Sequence, residues 1–221
     1  MSSSVGEIVP EIDLRHYWVG VRDQGMRSSC LACSSSDCHT YAHGLGDPLS
    51  VEFLFHQASK RMPGANSSSG LTFDAVTDTL KSDGQCAESQ WPYSLTPPSP
   101  WTPPSGITDL WRGDANFMKL GACATLVPLL QAGTPLVLAV RMRESFHSVA
   151  APHYTIADAG TYLGAHAVVA AGIGRDSTSG VQILIRNSWG FQWGFGGYAW
   201  LPASYVESNL LGFSSVKAIQ S

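Results

Sequence analysis

Of the five cysteines in this 221-residue chain, Cys30 has the neighbours that thiol chemistry needs. A thiol attacks an amide carbonyl well only as the thiolate, so a nucleophilic cysteine wants a partner that takes its proton and a setting that favours negative charge. The first turn of a helix supplies that setting through its unpaired N–H groups and its dipole. Cys30 falls where a helix is expected to begin. Gln24 lies six residues upstream, after Val21-Arg22-Asp23 and before Gly25, in a tight loop able to bring its amide over the sulfur as a donor to a developing oxyanion. The proton partner must come from elsewhere. Among seven histidines, His166 opens a strand-like run, Ala165-His166-Ala167-Val168-Val169, between small residues. A later run ends in Arg186-Asn187-Ser188-Trp189-Gly190, where Asn187 can hydrogen-bond one imidazole nitrogen and leave the other facing Cys30, with Trp189 covering that bond from water.

Other chemistry competes for the same residues. Cys30-x-x-Cys33, Cys38-His39 and His43 resemble ligand spacing, and C-x-x-C at a helix start also suits a thiol oxidoreductase. Redox chemistry would want a βαβ context that the chain before Cys30 lacks, and zinc would leave Gln24, His166 and Asn187 unexplained. No metal and no cofactor is expected. His147 and His153 read as surface or loop residues, Cys86 and Cys123 as inert packing, and Trp193 as a structural aromatic.

The elements that must position these groups are of two kinds. Residues 9–24 look extended, with Gly20 and Gly25 bracketing Val21 to Gln24. A helix begins at Cys30, capped by Ser28 or Ser29 and unbroken by Gly or Pro until Gly44. Ser50 caps a second helix, with Glu52 in its first turn and Lys60 and Arg61 in its last before Pro63-Gly64 stops it. Phe73, Val76 and Leu80, at i, i+3 and i+7, give a third helix its apolar stripe, ending near Gly84. Pro92 to Gly106 carries six prolines and little periodicity, so it reads as a long surface crossover. After a helix over Ala122 to Gln131, strand-like runs recur at Pro135–Met142, His166–Ile173, Val181–Arg186 and Tyr198–Leu201. The expected class is α+β, with the two halves meeting at a cleft.

Composition agrees with a packed protein and narrows its partners. With 44% apolar and 14% charged residues the chain can bury a large core. Thirteen Lys and Arg against 17 Asp and Glu leave no basic stripe for phosphates, so nucleic acid is not an expected partner. No window approaches the ~18 apolar residues of a membrane helix, so no membrane partner is expected either. Met1-Ser-Ser-Ser-Val-Gly-Glu-Ile lacks the basic and apolar regions of a secretory signal. The expected location is cytoplasmic as synthesised, with export, if any, by a signal-peptide-independent route. The odd, clustered cysteines are not the framework of a small secreted disulfide protein.

Asp23-Gln24-Gly25 with Ser29-Cys30, Gly164-Ala165-His166-Ala167, and Asn187-Ser188-Trp189-Gly190 with Trp193-Gly194 and Gly197-Tyr198 resemble the papain and cathepsin family of cysteine peptidases in order and spacing. The separations from Cys30, 166 − 30 = 136 and 187 − 30 = 157, are close to that family's layout of ~130–150 residues. Val9 to Arg15 resembles the mature family amino terminus and Leu49 to Leu54 the start of the next helix, so the likeness covers nearly the whole chain. It implies one papain-like domain over 1–221. A helical left half, about 25–105, packs against a β-barrel-like right half formed by about 9–24 and 106–221, with the active-site cleft between. It implies Cys30, His166, Asn187 and Gln24 as catalytic residues, and Gly70, Leu71, Ala167 and Trp189 as substrate-binding residues. The implied activity is endopeptidase hydrolysis of a protein or peptide substrate through a Cys30 acyl-enzyme.

Two alternatives stay beside it: a papain-like acyltransferase or amidase using the same thioester, and a papain-like module that binds with little catalysis. Leu31 in place of the usual aromatic and the unusual 27–36 segment point to the latter. Arg27-Ser28-Ser29-Cys30-Leu31 keeps only two of five positions of the family's C-G-[SA]-C-[WY] signature. Arg27 stands at a family half-cystine and Ala65 where its partner would align, so no disulfide is expected. About eight residues precede the segment resembling the mature terminus, where the family ordinarily carries an inhibitory propeptide. That suggests an exported effector or toxin with a separately encoded protein inhibitor.

Overall fold

In the computed structural model, which describes residues 7–118, 123–178 and 180–220, helix α1 (Cys30–Ala42) is buried along nearly its whole length. Several of its buried polar side chains are matched by partners, as burial favours. Ser36 Oγ donates to the Leu49 carbonyl at 2.8 Å, Thr40 Oγ1 to the Ser36 carbonyl at 2.8 Å, and His39 Nδ1 lies 2.8 Å from Gln85 Oε1. Asp37 accepts Arg22 Nε and Arg186 Nε, each at 2.6 Å. Helix α2 (Val51–Lys60) starts as expected, with Ser50 Oγ accepting the Phe53 N–H at 3.0 Å. Helix α3 (Phe73–Ser82) is capped by Thr72 and buries Val76 and Leu80. Ser29 occupies the N-cap position of α1, but its hydroxyl does not cap. It lies 2.5 Å from Tyr93 Oη instead.

The strands β1 (Ile8–Asp13), β2 (Arg112–Met118), β3 (Leu136–Arg143), β4 (Tyr162–Asp176), β5 (Gly180–Arg186), β6 (Tyr198–Pro202) and β7 (Leu210–Ile219) form one antiparallel sheet. The order is β2-β7-β3-β4-β5-β6, with β1 added on β4, and the sheet is not closed on itself. The class is α+β, as expected. Central strand β4 is covered on both faces. Ala167, Val169 and Ala171 belong to the core shared with α1, whereas Val168, Ala170 and Ile173 belong to the core shared with α4 (Cys123–Gln131) and α5 (Ala203–Asn209). The period of two sends alternate residues to different layers from Ala167 to Ala171, and the register shift between Ala170 and Gly172 moves Ile173 into the second layer.

Several elements differ from the sequence reading. Residues 9–24 are extended only through Asp13, whose carboxylate then accepts the Arg15 N–H at 3.0 Å and opens a 3₁₀ turn at Arg15–Tyr17. Strands β2 and β7 and helix α5 were not expected. Gly113, Asp114 and Asn116 make β2 look like a turn, and it exists because it pairs with β7 along Arg112↔Ile219 to Met118↔Phe213. Gly113 is required there, since a Cβ would sit 2.9 Å from the His39 ring. Helix α4 matches its expected span from Cys123; Ala122 lies outside the described residues. All five cysteines are free.

Candidate active site

Cys30 is the first residue of α1 and is partly exposed. Burial among neighbours pushes its thiol above the ordinary value, while backbone N–H groups of Ala167, Leu31 and Cys30 itself oppose that shift by favouring a negative sulfur. Cys33, one turn on, is wholly buried and pushed up to about 12, chiefly by desolvation. It stays a thiol.

His166 sits on β4 at 5% exposure, with Nε2 2.7 Å from Asn187 Oδ1. The same Oδ1 accepts the Ser188 N–H at 2.8 Å, which fixes the amide's orientation. An oxygen facing Nε2 requires Nε2 to carry the proton, so Nδ1 holds the free lone pair of the neutral ring. Burial lowers the imidazole to about 4; the Asn187 hydrogen bond works against that shift, and nearby His147 adds to it. The aromatic cover over this pair is larger than the sequence reading supposed. Trp189 lies 4.9 Å from the His166 ring, Phe146 meets that ring edge-on at 6.1 Å, and Trp193 Nε1 donates to the Phe146 carbonyl at 2.7 Å. His147 stacks on Trp189 at 4.9 Å and 8°.

Gln24 is held by both ends of its amide. Nε2 donates to the Arg27 carbonyl at 2.9 Å, and Oε1 accepts Ser188 Oγ at 2.7 Å. Its backbone N–H donates to the Ser188 carbonyl at 2.8 Å, and the Gly190 N–H donates to the Arg22 carbonyl at 2.9 Å, so the loop before α1 is sewn to the loop after β5. Gly25 has φ +58°, and a Cβ would stand 2.3 Å from the Leu95 carbonyl oxygen. No other residue fits that approach.

Cys30 and His166 line one groove of about 720 Å³, together with Gly70, Leu71 and Ala167. Thus three of the four expected substrate-binding residues share a surface with the thiol and the imidazole. Trp189 is not on that surface; it lies behind His166. Sequence reasoning missed Phe117 on β2, Ala139 on β3 and Leu211 on β7, which complete the groove. Phe117 stacks on Phe73 with ring centroids 4.1 Å apart. The possible ligand set around Cys30 is otherwise engaged: His39 faces Gln85, and His43 Nε2 lies 2.9 Å from the Arg112 carbonyl. Among the described residues no group of three His, Cys, Asp or Glu is placed to hold a metal.

Residues 8–210 match the family model of papain family cysteine proteases. This chain belongs to the papain family. It is 28% identical to cathepsin L of Sarcophaga peregrina over 211 residues, which is 90% of this chain and 59% of that protein. It is 27% identical to cathepsin J of Mus musculus, again over 211 residues, covering 90% of this chain and 61% of that one. The chain therefore spans about three fifths of the length of these relatives. The crystal structure of xylellain, a cysteine protease from Xylella fastidiosa, superposes with a TM-score of 0.77 at 24% identity, over 100% of this chain and 92% of that one. The papain-family fold accounts for the mixed architecture and for a cleft bounded by α1 and β4.

Proposed function

We propose that this papain-family chain is a thiol endopeptidase that hydrolyses peptide bonds through an acyl-enzyme on Cys30. Burial disfavours a lone thiolate and a lone imidazolium alike, so the two charges form together when Cys30 passes its proton to His166 Nδ1. Asn187 Oδ1 stabilises the resulting imidazolium through Nε2–H. The thiolate attacks the carbonyl carbon, and the Cys30 backbone N–H and the Gln24 amide hold the oxyanion. His166 then protonates the leaving amine, and water activated by the same ring releases the acid and regenerates the thiol. The observation that carries this reading is the 2.7 Å contact from His166 Nε2 to Asn187 Oδ1, which leaves the basic nitrogen available in a groove also lined by Cys30.

The test pairs a mechanism-based epoxide with mass spectrometry of cleavage products from a peptide library. Labelling at Cys30 and cleavage lost in Cys30→Ala are expected. A dead Cys33→Ala enzyme with an active Cys30→Ala enzyme would overturn the assignment. The proposal extends to an effector or toxin restrained by a separately encoded inhibitor. Growth of an unprotected host making the wild-type or Cys30→Ala chain decides this: toxicity confined to the wild type supports it, and equal growth rejects it.

A further inference from the structure

Arg27 heads the fully buried side chains by size, and its guanidinium is buried together with the Glu52 carboxylate at 0% and 1% side-chain exposure. The pair is bidentate: Nη1 to Oε2 at 2.6 Å and Nη2 to Oε1 at 2.9 Å. The remaining donors reach two other segments, with Nε donating to the Ser67 carbonyl at 2.9 Å and Nη1 to the Ser94 carbonyl at 2.9 Å. Glu52 in turn accepts Trp101 Nε1 at 2.6 Å and the Ser94 N–H at 2.9 Å. Phe55, Tyr93 and Trp101 surround the guanidinium, with ring centroids 4.8, 5.0 and 5.3 Å away. Such a planar fork serves three segments at once, which the single ammonium of a lysine cannot do.

The backbone of the same residue touches the proposed oxyanion donor. The Arg27 carbonyl accepts Gln24 Nε2, and the Arg27 N–H donates back to the Gln24 carbonyl at 3.3 Å, which also accepts Tyr93 Oη at 3.0 Å. Ser67 lies three residues before Gly70 in the segment that walls the groove. Side chain and main chain of one residue thus join the groove wall to the donor loop.

We propose that Arg27 is a positioning residue: locked on Glu52, it holds the Gln24–Cys30 loop in register with the Gly70–Leu71 wall and, through its own carbonyl, aims the Gln24 amide. This inference rests on the peptidase reading above. A purely structural role would cost stability alone, whereas a positioning role acts through Gln24.

The experiment measures kcat and KM for Arg27→Lys and Glu52→Gln, each in the native and the Gln24→Ala background, with peptide substrate. Arg27→Lys is expected to lower kcat about 10- to 100-fold in the native background, the scale of a misplacement near 1 Å. In the Gln24→Ala background the further loss should be less than about threefold, because the donor being aimed is gone. Glu52→Gln, which keeps the shape, should show the same dependence on background at smaller size and serves if Arg27→Lys does not fold. Equal fold-losses in both backgrounds, or unchanged kcat in a folded variant, overturn the proposal. Amide hydrogen exchange on the whole chain reads the tie without turnover: residues 24–30 and 67–71 should exchange faster together in either variant. Unchanged exchange in the wall segment breaks it. A wild-type chain that neither cleaves peptides nor takes the epoxide label would sink the peptidase reading, while the exchange data still decide whether Arg27 couples the two segments.

Discussion

His166 and His39 are two buried histidines that most local measures do not distinguish. Each is lowered from 6.5 to about 4 by burial, and each is bonded through one nitrogen to a side-chain amide oxygen, Asn187 Oδ1 for one and Gln85 Oε1 for the other. They differ in what the rest of the ring meets. His166 lines a groove with a cysteine at a helix start, and its bonded nitrogen is Nε2, which leaves the free lone pair on Nδ1. His39 is fully buried inside α1, bonded through Nδ1, with Cδ2 and Nε2 against the backbone of Gly113. A depressed imidazole is therefore a mark of burial in both, and only the sulfur and the groove support the role proposed for one of them.

The widest separation between the two should appear on truncation. His166→Ala is expected to lower kcat/KM by about 10²–10⁴-fold with the fold intact, while His39→Ala leaves turnover per active site within about threefold and lowers the melting temperature. Active-site titration alongside thermal denaturation separates these outcomes, and a His39 variant that is folded yet inactive would dissolve the comparison. The next effect is common to both rings. Each binds its proton more weakly in the folded state, so the unfolded chain takes up more protons between pH 6.5 and about 4, and stability rises with pH across that window. It should be lost as pH falls from 6.5 toward 4, by up to roughly 3 kcal/mol for each ring. Urea unfolding of the wild type and His39→Gln at pH 7 and pH 5 should show a shallower dependence in the variant.

Smaller still, Asn187→Ala should cut turnover roughly 100-fold without abolishing it, because the amide orients the ring but takes no proton. Gln85→Ala on the other histidine should leave kcat unchanged, so equal kinetic losses in the two would contradict the distinction. Last, Gly113→Ala forces a methyl to within 2.9 Å of the His39 ring and should destabilise by about 1–3 kcal/mol with normal kinetics once folded.

The residues that carry the proposed chemistry were legible because their signals are local: Cys30 at a helix start, Gln24 before a glycine turn, His166 opening an apolar strand, and Asn187 ahead of Ser-Trp-Gly. What stayed hidden depends on partners far along the chain. Strand β7 carries Gly212, Ser214 and Ser215, and β2 carries Gly113, Asp114 and Asn116, so neither shows a clean alternation; their mutual pairing makes them strands. Phe117 and Leu211 reach the groove only on those strands and were missed with them. Glu52 reads from sequence as a favourable charge in a helix's first turn, but its position is set by Arg27, 25 residues away. Ser29 reads as a cap, and Tyr93, 64 residues on, takes its hydroxyl.

The stitching between residues 22–24 and 188–190 has a mechanical consequence. The antiparallel bridge between Asp23 and Trp189, formed by the two main-chain hydrogen bonds, and the Ser188–Gln24 side-chain bond clamp the loop that carries the proposed oxyanion donor. Arg27 adds a second tie, with its carbonyl on Gln24 Nε2 and its guanidinium on the Ser67 carbonyl, three residues before Gly70. The wall that would meet a substrate side chain and the donor that would meet its carbonyl are thereby joined, so strain imposed on one is passed to the other instead of being absorbed between them.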